Sequence, residues 1–519
     1  MGKMSLCVLT FSVVLHFACG AKILGIVPTP SYSHQVVFQP LWRELSLRGH
    51  QVTTLTTDPI KDPKLKNLTE FDLRFSYDAW NKDIMDSVFS HQENVLGFVL
   101  KILQQYFDVF EGQLRHPSYQ SLINGNENFD LIIVEAVEPP MLALVEKYKC
   151  PLIGMLSLDA PSEIYQRLGN PTHPSLYPDM LSTSDMNLSL SQRIESFIGV
   201  CVFKLIGIYT RSVVNGMVQK YFGPNYSSVD DIMRNASMLF VNTDPIFHNV
   251  RPLVPGVIQI GGGSHLTTPR PLSADLQNLL DSATDGFIYF SLGTNVKSKD
   301  IPSDLRANIL ETFAELPYTV LWKFEAETLP NKPKNVHIAK WLPQQDVLGH
   351  RNIKLFITQG GLQSTDEAIY SGVPLLVIPF FGDQAHNSKK IVNKGMGLSI
   401  DYTKFEKAEF KETISELINN SKYRNRVKEL ANLALDQPMT GLERAVWWTE
   451  YVIRHKGARH LKSPLSDVPW HQYLLLDVIA VLLVSLVLIL CAVYVIFRML
   501  WRLLRKILPK GHQQHKKNE

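Results

Sequence analysis

Cysteine is scarce in this sequence. Of five in 519 residues, Cys7 and Cys19 fall in an apolar leader and Cys491 in a second apolar run. Only Cys150 and Cys201 remain in the body of the chain, which can therefore hold one disulfide at most. No Cys/His cluster has zinc-ligand spacing, which argues against a structural metal. Low-complexity tracts are absent, and charge is nearly balanced, with 52 Lys and Arg against 49 Asp and Glu. A net charge of +3 gives no basis for a nucleic-acid partner. A Gly-x-Gly-x-x-Gly turn after the first strand is also missing. Residues 28–34 read PTPSYSH instead, which speaks against a nicotinamide oxidoreductase.

Two segments have the character of targeting sequences. Lys3 precedes the apolar run Leu6 to Phe17, followed by small residues Ala18 to Ala21. That order predicts a cleaved signal peptide over residues 1–20. The second segment, VIAVLLVSLVLILCAVYVIF at 478–497, is uncharged and reaches the ~20 residues a membrane-spanning helix needs. Arg498, Arg502, Arg505, Lys506 and Lys510 follow it, with Trp501 at the expected interface. Basic flanks stay cytosolic, so the body is expected in the lumen and the tail, 498–519, in the cytosol. A single span also excludes a transporter. The terminal KKNE resembles the dilysine retrieval signal of endoplasmic-reticulum membrane proteins. Sequons at Asn67, Asn187, Asn225, Asn235 and Asn419 suit a lumenal, glycosylated body.

Between these ends the chain is long enough for two domains. Short β-branched runs recur between helix-length segments. In the first half they are 22–29, 51–57, 129–136, 151–157 and 237–244; in the second, 286–293, 319–324, 336–341, 353–359 and 374–380. Such a pattern predicts an α/β fold with two Rossmann-like parallel sheets, one in each half. The expected domains are 21–245 and 246–460, with the Gly/Pro/Ser-rich stretch 260–277 as linker and a transmembrane helix over 474–497. Facing domains of this kind leave a cleft at the carboxyl ends of their strands. The apolar, helical segment of about 190–220 has two readings, as core or as a membrane-facing surface near the cleft entrance.

The stretch ITQGGLQSTDEA, residues 357–368, ends a strand in two glycines and starts a helix. Gly360 and Gly361 remove side chains that would keep a ligand from backbone N–H groups. Ser364 and Glu367 have capping-box spacing, and Gly372 and Pro374 end the predicted helix. Free N–H groups at a helix start suit a phosphate, although an ordinary capped helix gives the same local pattern.

Residues 341–384, WLPQQDVLGHRNIKLFITQGGLQSTDEAIYSGVPLLVIPFFGDQ, resemble the signature of the UDP-glycosyltransferase family at nearly every fixed position. FVNTDP at 240–245 and SLGT at 291–294 extend the resemblance, which points to the membrane-bound animal branch, and TQGG to its arthropod members. The resemblance implies a GT-B fold, two Rossmann-like domains across a cleft, and a UDP-sugar as co-substrate with no cofactor or metal. It implies that Trp341 stacks on uracil, that the backbone of Leu342 bonds the uracil edge, and that Gln344 and Glu367 take the ribose hydroxyls. Ser291, Thr294, Gln359, Gly361 and Ser364 would surround the diphosphate, and Asp383 and Gln384 would hold the transferred sugar. Most members carry His where this chain has Gln359, and an amide can donate to phosphate but cannot become a cation. Glu367 cannot cap its helix and bind ribose with the same oxygens.

The resemblance also makes His34 the general base, work that suits an imidazole near neutral pH. The family's Asp partner becomes Glu135 here, one methylene longer. Glu138 is a weaker candidate and Asp130 a structural residue. The implied reaction moves glucose, or glucuronic acid, onto a hydroxyl of a small lipophilic acceptor with inversion. No Asp-x-Asp pair accompanies the donor site. The alternative is a membrane-tethered UDP-sugar-binding protein without turnover, which predicts loss of His34 or its partner. Acceptor identity would be set between residues 60 and 230, and no motif speaks to oligomeric state, leaving a homo-oligomer open.

Overall fold

The computed structural model describes residues 20–80, 95–177, 179, 188–248, 250–261 and 263–507. The leader, Asn187 and the KKNE tail lie outside them. The chain forms a body ending at Ser463 and a C-terminal unit beginning at Pro464.

The body contains two all-parallel sheets. The first has seven strands: β1 (Lys22–Val27), β2 (Gln51–Thr56), β3 (Leu68–Asp72), β4 (Leu131–Glu135), β5 (Leu152–Leu156), β6 (Met238–Val241) and β7 (Val257–Gln259). Their spatial order is β3-β2-β1-β4-β5-β6-β7. The second has six: β8 (Phe287–Ser291), β9 (Thr319–Lys323), β10 (Val336–Ala339), β11 (Ile353–Thr358), β12 (Leu375–Val377) and β13 (Gly397–Ser399). Their order is β10-β9-β8-β11-β12-β13. Central strands such as β4, β5 and β8 are buried at every residue, because helices cover both faces of a parallel sheet.

In each sheet the direction of winding reverses at one place, between β1 and β4 in the first and between β8 and β11 in the second. Chain segments leaving the carboxyl ends of such a strand pair diverge to opposite faces and open a crevice, where ligands of open α/β sheets bind. Pairing of Ile26 with Val134, and of Thr358 with Ser291, brings the ends of these strands level.

All ten expected strands are present. β3, β7 and β13 were not expected from sequence: β3 is a half-exposed edge strand that mixes polar and apolar residues, and β7 and β13 have three residues each. The first sheet also continues past residue 245, the expected border, through β7. Helix Gly441–Arg454 returns to it, and Ala445, Val446 and Val452 pack with Ile23, Phe38 and Met238 in the first lobe's core. Part of the expected linker is helix Ala274–Ser282.

The C-terminal unit contains helix Leu476–Ile507. It is long and apolar enough to cross a membrane, and it continues ten residues beyond the expected end of the span at 497.

Candidate active site

The first reversal point places two groups together. β1 runs into Pro28 and Thr29, Ser31 is the N-cap of helix Tyr32–Leu47, and His34 stands in that helix's first turn. β4 ends at Glu135. His34 Nδ1 lies 2.5 Å from Glu135 Oε1, and Glu135 Oε2 accepts from the Thr29 N–H at 3.2 Å. Glu135 is fully buried and His34 largely so. The longer arm of glutamate therefore reaches the histidine. Glu138 is instead paired with Arg167 at 2.9 Å, and Asp130 accepts from the Lys22 N–H at 2.8 Å, a strand-start contact.

The second reversal point carries the glycine turn. Gly360 has φ +87°, and a Cβ there would lie 2.7 Å from Val377 Cγ1, so only glycine fits without strain. Gly293 has φ +76° in the turn after Ser291, and its Cα faces the Gln359 side chain so closely that a Cβ would sit 2.3 Å from Nε2. Gln359 thus lies between the two glycine turns, with Oε1 accepting from Thr358 Oγ1 at 3.1 Å. Thr294, half-buried, follows in the same turn as Gly293.

The capping box expected from Ser364 and Glu367 is not formed. Helix Leu362–Tyr370 starts earlier, its N-cap is Gly361, and no side chain caps it. Its first N–H groups receive no capping side chain, since glycine at the N-cap has no side-chain oxygen to offer them. Ser364 and Glu367 instead receive Gln344, whose Nε2 donates to Ser364 Oγ at 2.9 Å and to Glu367 Oε2 at 2.6 Å. Tyr289 Oη donates to Gln344 Oε1 at 3.1 Å, and Gln345 Nε2 donates to Glu367 Oε1 at 3.0 Å. The conflict over Glu367 disappears, because it does not cap.

Trp341 stands 57% exposed beside this polar group, with Leu342 buried below. A cavity of ≈ 670 Å³ adjoins it, lined in part by Arg270, Leu272, His337 and Asp346. Asp383 and Gln384 follow β12 in a turn closed by Asn387, which donates to Asp383 Oδ2 at 2.7 Å and to the Gly360 carbonyl at 3.0 Å. Gln384 Oε1 accepts from the Phe380 and Phe381 N–H groups, which leaves its Nε2 as a donor. Burial pushes the Asp383 carboxyl above its ordinary range, against the bond from Asn387 and the nearby His34 imidazole.

That last interaction spans the two lobes, and others join the same surfaces. Ser31 and Asn295 exchange hydrogen bonds at 3.2–3.3 Å, and Tyr32 meets Trp341 edge-on at 5.2 Å between ring centroids. Lys323 Nζ lies 5.7 Å from the Trp341 ring centroid while donating to the Gly293 carbonyl at 2.8 Å. Tyr32, Asn295, Lys323 and Asn387 were not singled out in the sequence. Tyr32 and Asn295 adjoin motif residues, but their meeting is a tertiary fact, and a lysine ending a strand carries no signal of its own.

The sequence pattern described as UDP-glucoronosyl and UDP-glucosyl transferase matches residues 21–514. The chain belongs to this family. UDP-glycosyltransferase UGT5 of Dactylopius coccus is 34% identical over 495 residues, covering 94% of this chain and 93% of that one. The ecdysteroid UDP-glucosyltransferase of Spodoptera littoralis nuclear polyhedrosis virus is 33% identical, with 91% and 96% covered. UDP-glucuronosyltransferase 1-2 of Mus musculus is 29% identical, with 93% and 91% covered. Among solved structures, the glycotransferase of kitacinnamycin aligns with a TM-score of 0.55 at 17% identity, over 84% of this chain and 99% of that one. Spinosyn forosaminyltransferase SpnP aligns at 0.53 and 15%. The fold is therefore GT-B, and this UDP-glycosyltransferase moves a sugar from a UDP-sugar co-substrate. Its C-terminal apolar helix fits a membrane anchor. No group of three or more His, Cys, Asp or Glu side chains among the described residues is arranged to hold a metal ion.

Cys150 and Cys201 are unpaired, and burial pushes the Cys150 thiol up to about 12. The described sequon asparagines, Asn67, Asn225, Asn235 and Asn419, are all exposed.

Proposed function

We propose that His34 is the general base of an inverting transfer of glucose to a hydroxyl of a small lipophilic acceptor. With Nδ1 protonated and donating to Glu135, Nε2 holds the free lone pair that takes the acceptor's proton. The buried carboxylate fixes that tautomer and stabilises the imidazolium as it forms. The acceptor oxygen then attacks the anomeric carbon from the face opposite UDP. The bond to the diphosphate oxygen breaks, and an α-linked sugar becomes a β-glycoside.

Charge developing on the diphosphate meets the uncapped start of helix Leu362–Tyr370, Gln359 Nε2 and the turn at Ser291 and Thr294. Trp341 stacks on uracil and Leu342 bonds its edge; Gln344 and Glu367 take the ribose hydroxyls. Asp383 Oδ1 and Gln384 Nε2 bind hydroxyls of the sugar. An uncharged hexose avoids placing a second carboxylate beside Asp383, which favours glucose over glucuronic acid, as do the glucosyltransferases among the relatives. The anchor, the basic flank and the KKNE end support a type I protein of the endoplasmic-reticulum membrane with a lumenal body.

The observation that carries this reading is the 2.5 Å contact of His34 with a fully buried Glu135, on a turn that touches the donor lobe at Asn295. Microsomes holding wild type or His34→Ala, given UDP-glucose and a panel of phenols, test it. The variant should bind UDP normally and lose conjugate formation by about 100- to 10,000-fold. Equal product from both proteins would remove His34 as the base.

A further inference from the structure

The turn Gly263–Leu266 lies between β7 and β8, closed by the Leu266 N–H donating to the Gly263 carbonyl at 2.9 Å. Connections of this kind run over the surface, and an imidazole carried by one ordinarily meets water. His265 does not. Its side chain is fully buried, and neither ring nitrogen makes a hydrogen bond. Nε2 stands 3.6 Å from Glu367 Oε1, too far for a hydrogen bond and close enough for strong attraction between charges. Among the described residues, His265 is the one basic side chain within 4.0 Å of that carboxylate. Gln345 clips the turn and the carboxylate together. Its Nε2 donates to Glu367 Oε1 at 3.0 Å and to the His265 carbonyl at 3.3 Å. Its Oε1 accepts from the Thr267 N–H at 2.9 Å and from the Thr267 hydroxyl at 3.0 Å.

We propose that His265 is a positioning residue for the donor, whose imidazolium balances the charge of Glu367 and holds that carboxylate ionised for the ribose. The inference rests on the assignment of Glu367 to the ribose hydroxyls. Glu367 is buried, and a buried carboxylate is driven to take up a proton unless positive charge or enough donors face it. Gln344 and Gln345 supply donors without charge. His265 supplies the charge. The difference matters to a ribose, because an ionised carboxylate accepts at both oxygens and binds hydroxyls more strongly than a neutral acid does. Oε2 receives the Gln344 amide and keeps a lone pair for a ribose hydroxyl. Burial works against a charged imidazole here, and contact with Glu367 more than offsets it, raising the His265 pKa above its ordinary value. Asp366 also lies near the ring, but burial pushes its carboxyl up to about 7. Much of it is therefore protonated at neutral pH, which leaves the charge of His265 to Glu367.

Calorimetric titration of the full-length protein in detergent tests this with two ligands, UDP and its dideoxyribose analogue, which lacks both ribose hydroxyls. Wild type should prefer UDP. His265→Leu should weaken UDP binding by about 10- to 100-fold and leave binding of the analogue unmoved. His265→Gln, which keeps a donor without the charge, should fall between the two. Glu367→Gln should lose the same preference, and adding His265→Leu to it should cost nothing more, because both residues act at one carboxylate. Thermal midpoints identify the variants that fold. A folded His265→Leu or His265→Gln that keeps the wild-type preference, while Glu367→Gln loses it, would overturn the role of His265 and leave that of Glu367 standing. Equal weakening of both ligands in the His265 variants would also overturn it, since that is the mark of a packing role. If Glu367→Gln keeps the preference, the ribose assignment falls and this inference falls with it. None of these readouts depends on turnover, so the outcome is separable from the assignment of His34.

Discussion

Glu135→Gln isolates what the buried carboxylate does while preserving its shape. Glu135 accepts from two sides, from His34 Nδ1 and from the Thr29 N–H. A glutamine amide has one oxygen to offer and must choose. With oxygen toward His34, its NH2 group confronts the Thr29 N–H and a buried donor is left without a partner. With oxygen toward Thr29, the NH2 group demands a lone pair from Nδ1, which moves the proton to Nε2, the nitrogen that should be the base. In either orientation the full negative charge is lost. At an effective dielectric near 20, unit charges ~4 Å apart attract by ~4 kcal/mol, so replacing charge by dipole should raise the barrier by about 2–4 kcal/mol. That corresponds to a fall in kcat of roughly 30- to 1,000-fold. Conjugate formation from UDP-glucose, measured by chromatography in microsomes beside a UDP-binding titration, would separate chemistry from donor affinity. The titration should not move. A kcat within threefold of wild type would refute the reasoning.

Other perturbations act elsewhere. Trp341→Ala removes the stacking surface, worth about 1–3 kcal/mol per base, so KM for the UDP-sugar should rise about 5- to 150-fold with a smaller change in kcat. Gly360→Ala forces a side chain into φ +87° and against Val377, and should cost about 2 kcal/mol or more in a denaturation series while weakening UDP binding. Asp366 is buried with neither oxygen hydrogen-bonded, and burial pushes its carboxyl up to about 7, against the pull of His265. Because folding raises this pKa, the native protein holds a proton that the unfolded chain releases, and stability falls as pH rises from about 4 to about 7. Asp366→Asn should therefore raise the thermal midpoint by about 2–5 °C at pH 7.5 and by less at pH 4.5.

Much of this was legible in the sequence because continuous apolar strands between helices admit few sheet architectures, and all ten runs of that kind are strands. What escaped lacked that signature. β3 mixes polar and apolar residues at an edge, β7 and β13 are three residues long, and the return of helix Gly441–Arg454 to the first lobe leaves no local mark. In the site, His34 and Glu135 could be named from the family pattern, but their contact could not, since 101 residues separate them. The Ser364 cap failed for a physical reason: the helix begins at Leu362, so its serine lies inside the first turn, where Gln344 claims its hydroxyl. Spacing alone cannot say which residue the chain will use to open a helix.

The two halves are not separable pieces of polypeptide. Helix Gly441–Arg454 supplies Ala445, Val446 and Val452 to the wall of the first lobe, though nearly the whole second lobe intervenes along the chain. A fragment ending near residue 260 would expose that wall to water. Chimeras made to transplant acceptor preference between relatives must therefore exchange residues 441–454 along with the amino-terminal half, or each hybrid will join a wall to a helix shaped for another protein.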